Sequence, residues 1–210
     1  MSRIAILGAS GHLGDLLLTE ALDAGWLVSA LARDPGRIRK ANERLTLFQG
    51  DADRGQGLEA AVTGCRYIIY AVDSSRPSES VAHLVQAVGW KVVERIILVS
   101  RLEATGAGGR RTRGLRILRK LLPKPARRVL FGDVSHAEQL LRVSGLPYCI
   151  FRVVELTDEP HGQEVVVAEA TEPPPGPVGR ADLARFVIRS LGDRSWNLRE
   201  VTVGAKQRSS

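Results

Sequence analysis

Residues 2–14 read SRIAILGASGHLG, a short apolar run that passes straight into glycines at positions 8, 11 and 14. Either these glycines form an ordinary tight turn between a strand and a helix, or they hold a phosphate. A phosphate needs backbone N–H groups at a helix N-terminus and a chain free of Cβ atoms where it passes closest. In that reading Gly8 permits the turn, Gly11 the close approach and Gly14 the packing of helix on strand. Ser10 adds a hydroxyl, and His12 and Leu13 offer their amides. The turn without a ligand is the alternative, and only its context separates the two.

Short apolar runs at 3–7, 26–32, 45–49, 66–72, 95–100 and 148–154, with weaker candidates at 164–168 and 198–203, alternate with helical patterns. The helical patterns fall at about 12–24, 56–63, 78–90, 134–144 and 180–191. Such alternation predicts βαβ units and a Rossmann-type α/β fold, a doubly wound parallel sheet in three layers. The first several runs are continuously apolar, as strands buried on both faces are. Asp182 falls in the first turn of the last helix, where the helix dipole favours negative charge. Clustered prolines in TEPPPGPVG (171–179) predict a stiff connection without a regular element. A single domain spanning 1–210 is expected from the length.

This context favours a dinucleotide over an empty turn, and the second strand bears on which one. In an NAD-binding pattern an acidic residue near its end takes the ribose hydroxyls; here WLVSALA runs into Arg33, with Arg37 four residues on. A carboxylate would repel a 2′-phosphate, whereas a guanidinium grips one bidentately or stacks on adenine. The pattern therefore favours NADP(H) over NAD(H), with an exposed strand-end arginine as the plain alternative. Asp51, in Gly50-Asp51 after the third strand, either accepts from the adenine amino group or simply forms a turn.

Hydrophobic residues at 44% and charged residues at 25% are ordinary for a soluble protein, and no apolar run approaches a membrane span. Because the chain enters its first strand without a signal-peptide-like segment, a cytoplasmic protein is expected. Cys65 and Cys149 lack metal-ligand spacing, so no metal is expected and both are read as buried apolar residues. The net charge of +7 is concentrated: nine basic residues and no acidic one lie between Gly106 and Arg128.

These motifs resemble the atypical short-chain dehydrogenase/reductases that fold as one NAD(P)H-binding domain, a group that includes NmrA-like sensors and biliverdin-IXβ/flavin reductases. The resemblance rests on ILGASGHLG, ALARDPGRI, Gly50-Asp51, ILVS (97–100), AEQLLRVSGLPYCIFR (137–152), LTDEP (156–160) and GRADLARFVIRSL (179–191). It implies that Ala71, Val72 and Asp73 lie along the cofactor, that Ser100 ends the fifth strand near the nicotinamide, and that Arg152 and Val153 flank it. It also implies that residues 105–130 form a basic insertion capping the substrate pocket, where positive charge would draw an anionic acceptor. A solvated basic face or a macromolecular partner are the other readings of that segment; no recognition helix or aromatic platform accompanies it, which argues against nucleic acid.

One departure is chemical. The family's larger relatives use Tyr-x-x-x-Lys for proton transfer, yet Tyr67, Tyr70 and Tyr148 have Ala71, Ser74 and Arg152 four positions on. The position four residues before Glu138, where many atypical members keep a lysine, is Val134. Ser100 and His136 are the remaining catalytic candidates, Ser100 alternatively being a hydrogen-bond donor and His136 a surface histidine. His161 is a weaker candidate for the pocket entrance. The expected function is an NADP(H)-dependent reductase of a flavin, quinone or similar conjugated acceptor, because such acceptors can draw their proton from water. The alternative is a non-catalytic NADP(H)-binding sensor.

Overall fold

In the computed structural model, which describes residues 2–101, 133–158, 162–169 and 175–206, the glycine turn joins β1 (Arg3–Leu7) to α1 (His12–Asp23). The chain continues through β2 (Leu27–Ala32), β3 (Leu45–Gln49), α2 (Leu58–Val62), β4 (Tyr67–Tyr70), α3 (Pro77–Val88) and β5 (Arg95–Arg101). After residue 132 come α4 (Asp133–Val143), β6 (Tyr148–Val153), β7 (Leu156–Thr157), β8 (Val165–Ala168), β9 (Val178–Gly179), α5 (Arg180–Ser190) and β10 (Arg199–Ala205). The apolar periods thus place β1–β6, β8, β10 and α1–α5 to within two residues of their observed ends, whereas the short β7 and β9 are not among the expected strands. The basic insertion read at 105–130, and His161, lie outside the described residues.

The main sheet has the order β3-β2-β1-β4-β5-β6-β10-β8. Every neighbouring pair is parallel except β10 with β8, which run antiparallel at one edge. The chain reverses direction in space between β1 and β4, the doubly wound arrangement in which crossover helices cover both faces. On one face Ile4 and Ile6 pack with Leu17 and Leu18 of α1 and Leu183 and Val187 of α5. On the other, Ala5 and Leu7 pack with Leu58 of α2, Leu84 of α3 and Leu141 of α4. Alternate residues of one strand therefore feed two separate cores, which is why β1 reads as unbroken apolar sequence.

The proline-rich stretch corrects one expectation. Pro175 and Pro177 lack amide hydrogens, but the residues after them do not: Gly176 N donates to Ala205 O (2.9 Å) and Val178 N to Glu155 O (3.0 Å). Val178–Gly179 consequently pairs with Leu156–Thr157 as a small second sheet. Asp182 is buried and accepts from Gly162 N and Gln163 N, which fastens the preceding loop to α5. Arg95, only 2% exposed, donates to Ser190 O (2.9 Å), Asp193 O (2.8 Å) and Asn197 Oδ1 (2.8 Å). A buried cation is tolerated there because carbonyls at the C-terminal end of a helix carry partial negative charge. Both cysteines are buried, and burial pushes the Cys149 thiol up to about 12. Among the described residues no helix is long and apolar enough to cross a membrane.

Candidate functional site

A cavity of about 880 Å³ opens across the carboxyl ends of β1 to β6, at the point where the strand order reverses. Its floor is the glycine turn. Gly8 sits at φ +87°, and a Cβ there would lie 2.5 Å from Ala71 O, so the turn needs glycine for both conformation and space. Gly8 N and Ala9 N both donate to Leu31 O, which ties the turn to β2. Gly11 caps α1 with extended backbone and no side chain caps the helix, so its first N–H groups open on the cavity. Gly14 does not line the cavity: a Cβ there would meet Gly8 O at 2.1 Å, and its place is the contact of helix on turn.

Gly8, Ser10, Gly11, His12, Leu13, Arg33, Asp51, Ala71, Val72, Asp73, Ser100 and Val153 all line this one cavity. Arg33 and Arg37 stand exposed at its β2 end with no ion pair among the described residues. The other two lining arginines are engaged, Arg101 with Asp73 (3.0 Å) and Arg180 with Asp158. Free positive charge is therefore concentrated beyond β2. Asp34, next to Arg33, caps the following turn by accepting from Gly36 N (3.0 Å) and forms no ion pair with Arg33. Asp51 does the same for Asp53 N (3.0 Å), which engages one of its oxygens in the turn-forming role.

Two of the named residues are placed elsewhere. His136 is exposed on α4, whereas Val134 and Ala137 of the same helix face the cavity. The 100° step between helical residues turns position 136 away when 134 and 137 point inward. Arg152 also does not line the cavity. Its guanidinium is clamped by Glu138 and Glu200, donating to Glu138 Oε2 (2.7 Å) and Glu200 Oε2 (2.6 Å). The two carboxylates draw the Arg152 side chain to themselves, while the following Val153 and Val154 line the cavity.

Behind Ser100 lies a cluster that sequence spacing did not reveal. Ser100 Oγ is 2.9 Å from Glu138 Oε1, and Glu138 also accepts from Arg142 Nη2 (3.1 Å). Arg142 bonds Glu200 in turn, and Tyr148 OH donates to it (3.2 Å). The Arg142 hydrogen bond, supported by Arg152 and opposed by burial, holds the Glu200 carboxyl at about 2. Glu200 lies 48 positions from Arg152 and meets it only because β10 pairs with β6. Glu138 and Arg142 are four apart on α4, the one local sign of the cluster. Tyr70 was likewise missed as a lining residue; its hydroxyl is 2.6 Å from Ser80 Oγ, and burial raises its pKa.

With this geometry in view, residues 8–194 match the model of the NAD(P)H-binding family. The chain belongs to that family. Within it, a curated relative from Cyanophora paradoxa, photosystem II assembly factor Ycf39, is 27% identical over 94% of this chain, which spans 66% of that protein's length. A short-chain dehydrogenase/reductase from Veillonella parvula, solved in complex with NADP, superposes with a TM-score of 0.83 at 21% identity, covering 99% of each chain. ChuY, an anaerobilin reductase from Escherichia coli, superposes with a TM-score of 0.76 at 22% identity over all of both chains. At these identities the likeness to solved structures establishes the fold. The resemblance to single-domain atypical short-chain dehydrogenase/reductases is borne out, and the cavity lies where the strand order of such a fold reverses.

Proposed function

We propose that this protein is an NADP(H)-dependent reductase of a conjugated acceptor. The observation that carries it is the cavity, which runs from two unpaired arginines at β2, over the helix N-terminus, to an apolar end around Val72, Leu98, Val134, Ala137 and Val153. In this reading the α1 amides and Ser10 take the pyrophosphate, Arg33 takes the 2′-phosphate, and Ala71, Val72, Asp73 and Val153 border the nicotinamide. When bound, NADPH supplies a hydride.

The protein's part is to orient that hydride and keep the transfer dry. Among the described residues no lysine lines the cavity, and Tyr70 is held protonated beside Ser80, so no lysine-activated tyrosine stands ready as an acid. The acceptor is therefore one that takes the hydride from NADPH and its proton from water, leaving NADP⁺ and the reduced acceptor. Flavins, quinones and linear tetrapyrroles have that chemistry, and the name of the ChuY neighbour is consistent with it.

A second reading has its own support, since the relative matching 94% of the chain is named for assembly and not for a reaction. In that reading NADP(H) occupancy alters contact with a protein partner. One assay decides: NADPH oxidation by the purified protein with FMN, menadione and biliverdin, after subtracting the rate without acceptor. Saturable turnover with any of them is expected. A preparation that binds NADPH and turns over none of them refutes the reductase and leaves the binding protein.

A further inference from the structure

The polarity of Ser100 narrows the acceptor. Glu138 is 6% exposed and is reached by two guanidinium groups: Arg152 Nε at 3.0 Å from Oε1, Arg152 Nη2 at 2.7 Å and Arg142 Nη2 at 3.1 Å from Oε2. Guanidinium groups only donate, so both Glu138 oxygens serve as acceptors. Ser100 Oγ, 2.9 Å from Glu138 Oε1, therefore donates its only hydrogen backwards, away from the cavity that Ser100 lines. What Ser100 offers the cavity is a pair of lone pairs, in a lining that includes apolar Leu98, Val134 and Ala137.

We propose that Ser100 is a hydrogen-bond acceptor in the substrate site, that Glu138 is the positioning residue that makes it so, and that the site selects a heteroaromatic acceptor with a ring N–H of the isoalloxazine imide type over a quinone. The proposal rests on the reductase reading above. A quinone carries only carbonyl oxygens as polar groups, and lone pairs facing lone pairs beside Ser100, itself only 7% exposed, are left unpaired. A site built around one hydrogen bond rejects the analogue that lacks the matching group far more strongly than a merely apolar site does.

The test uses lumiflavin and 3-methyllumiflavin, which differ in the imide N–H, titrated by fluorescence against the full chain saturated with NADP⁺. Wild type is expected to bind lumiflavin at least tenfold more tightly. Ser100→Ala should bring the ratio near one through weaker lumiflavin binding, and Ser100→Thr, which keeps the hydroxyl, should preserve it. Glu138→Gln introduces an amide that can donate to Ser100, and should lower the ratio while NADP⁺ affinity stays within twofold. If wild type does not distinguish the two flavins, or Ser100→Ala leaves the ratio unchanged, Ser100 is not the acceptor. Turnover of menadione without binding of either flavin overturns this proposal and leaves the reductase reading intact; no turnover and no flavin binding overturns both.

Discussion

Gly14→Ala and Gly11→Ala separate what the glycine turn does for the fold from what it does for the ligand. At position 14 a Cβ would sit 2.1 Å from Gly8 O and 2.8 Å from Ala9 Cα, both backbone atoms that cannot swing aside. Helix and turn must part by roughly 1 Å, an overpacking change that costs about 1–3 kcal/mol and outweighs the helix propensity gained from alanine, about 1 kcal/mol. The net loss of up to about 2 kcal/mol is, for a domain of this size, a fall in Tm of up to about 4–8 °C. At position 11 the backbone is extended but the nearest atom, Gly8 O, lies at a tight 3.3 Å and alanine is a poorer N-cap than glycine, so Tm should fall by about 2–4 °C. In the proposed binding mode the methyl group there meets the phosphates, and NADPH affinity should drop about tenfold, or about 1.4 kcal/mol. Differential scanning fluorimetry and NADPH fluorescence titration on the two variants measure both quantities. An unchanged Tm for Gly14→Ala would refute the packing argument, and wild-type NADPH affinity for Gly11→Ala would refute the phosphate position.

Arg33→Glu should remove the preference for NADPH over NADH, measured as the ratio of their dissociation constants; a wild type that binds both equally would remove Arg33 from the 2′-phosphate. Arg95→Met strands two carbonyls and the Asn197 amide oxygen in a buried setting, and should cost about 3 kcal/mol in urea unfolding; a loss below about 1 kcal/mol would show that water replaces the guanidinium. Glu200 is lowered from 4.5 to about 2, so its stabilisation is complete above pH 4.5 and drains away as pH falls toward 2. The shift corresponds to about 3 kcal/mol, which partial exposure of the carboxylate to water reduces to about 1–2 kcal/mol. Urea midpoints measured between pH 5 and pH 2 should accordingly fall more steeply for wild type than for Glu200→Gln, and parallel curves would count against the Arg142–Arg152 clamp.

Local physics made much of this molecule legible in its sequence. Apolar runs of strand length gave β1 to β6 because strands buried on both faces have no polar alternation to disguise them, and the Gly8-Gly11-Gly14 spacing gave the turn because only glycine meets its steric demands. Arg33 was readable for the same reason, as a residue at a strand end whose position follows from its own segment. The roles of His136, Arg152, Glu138 and Glu200 were not. His136 and Val134 differ by two positions, and which of them meets the cavity depends on the rotation of α4 against the sheet, fixed by Ala137 and Leu141 in the core. Glu200 reaches Arg152 only after β10 adds to β6, a pairing set by the path of the chain through α5. The sequence alone therefore determined which segments become the helices and the strands of the main sheet and where the glycine turn falls. The tertiary structure decided which charges neutralise one another, and so left Ser100 facing the cavity and Arg152 turned away from it. Backbone propensity acts over a few residues, whereas the partner of a charge is whatever the fold brings within 3 Å.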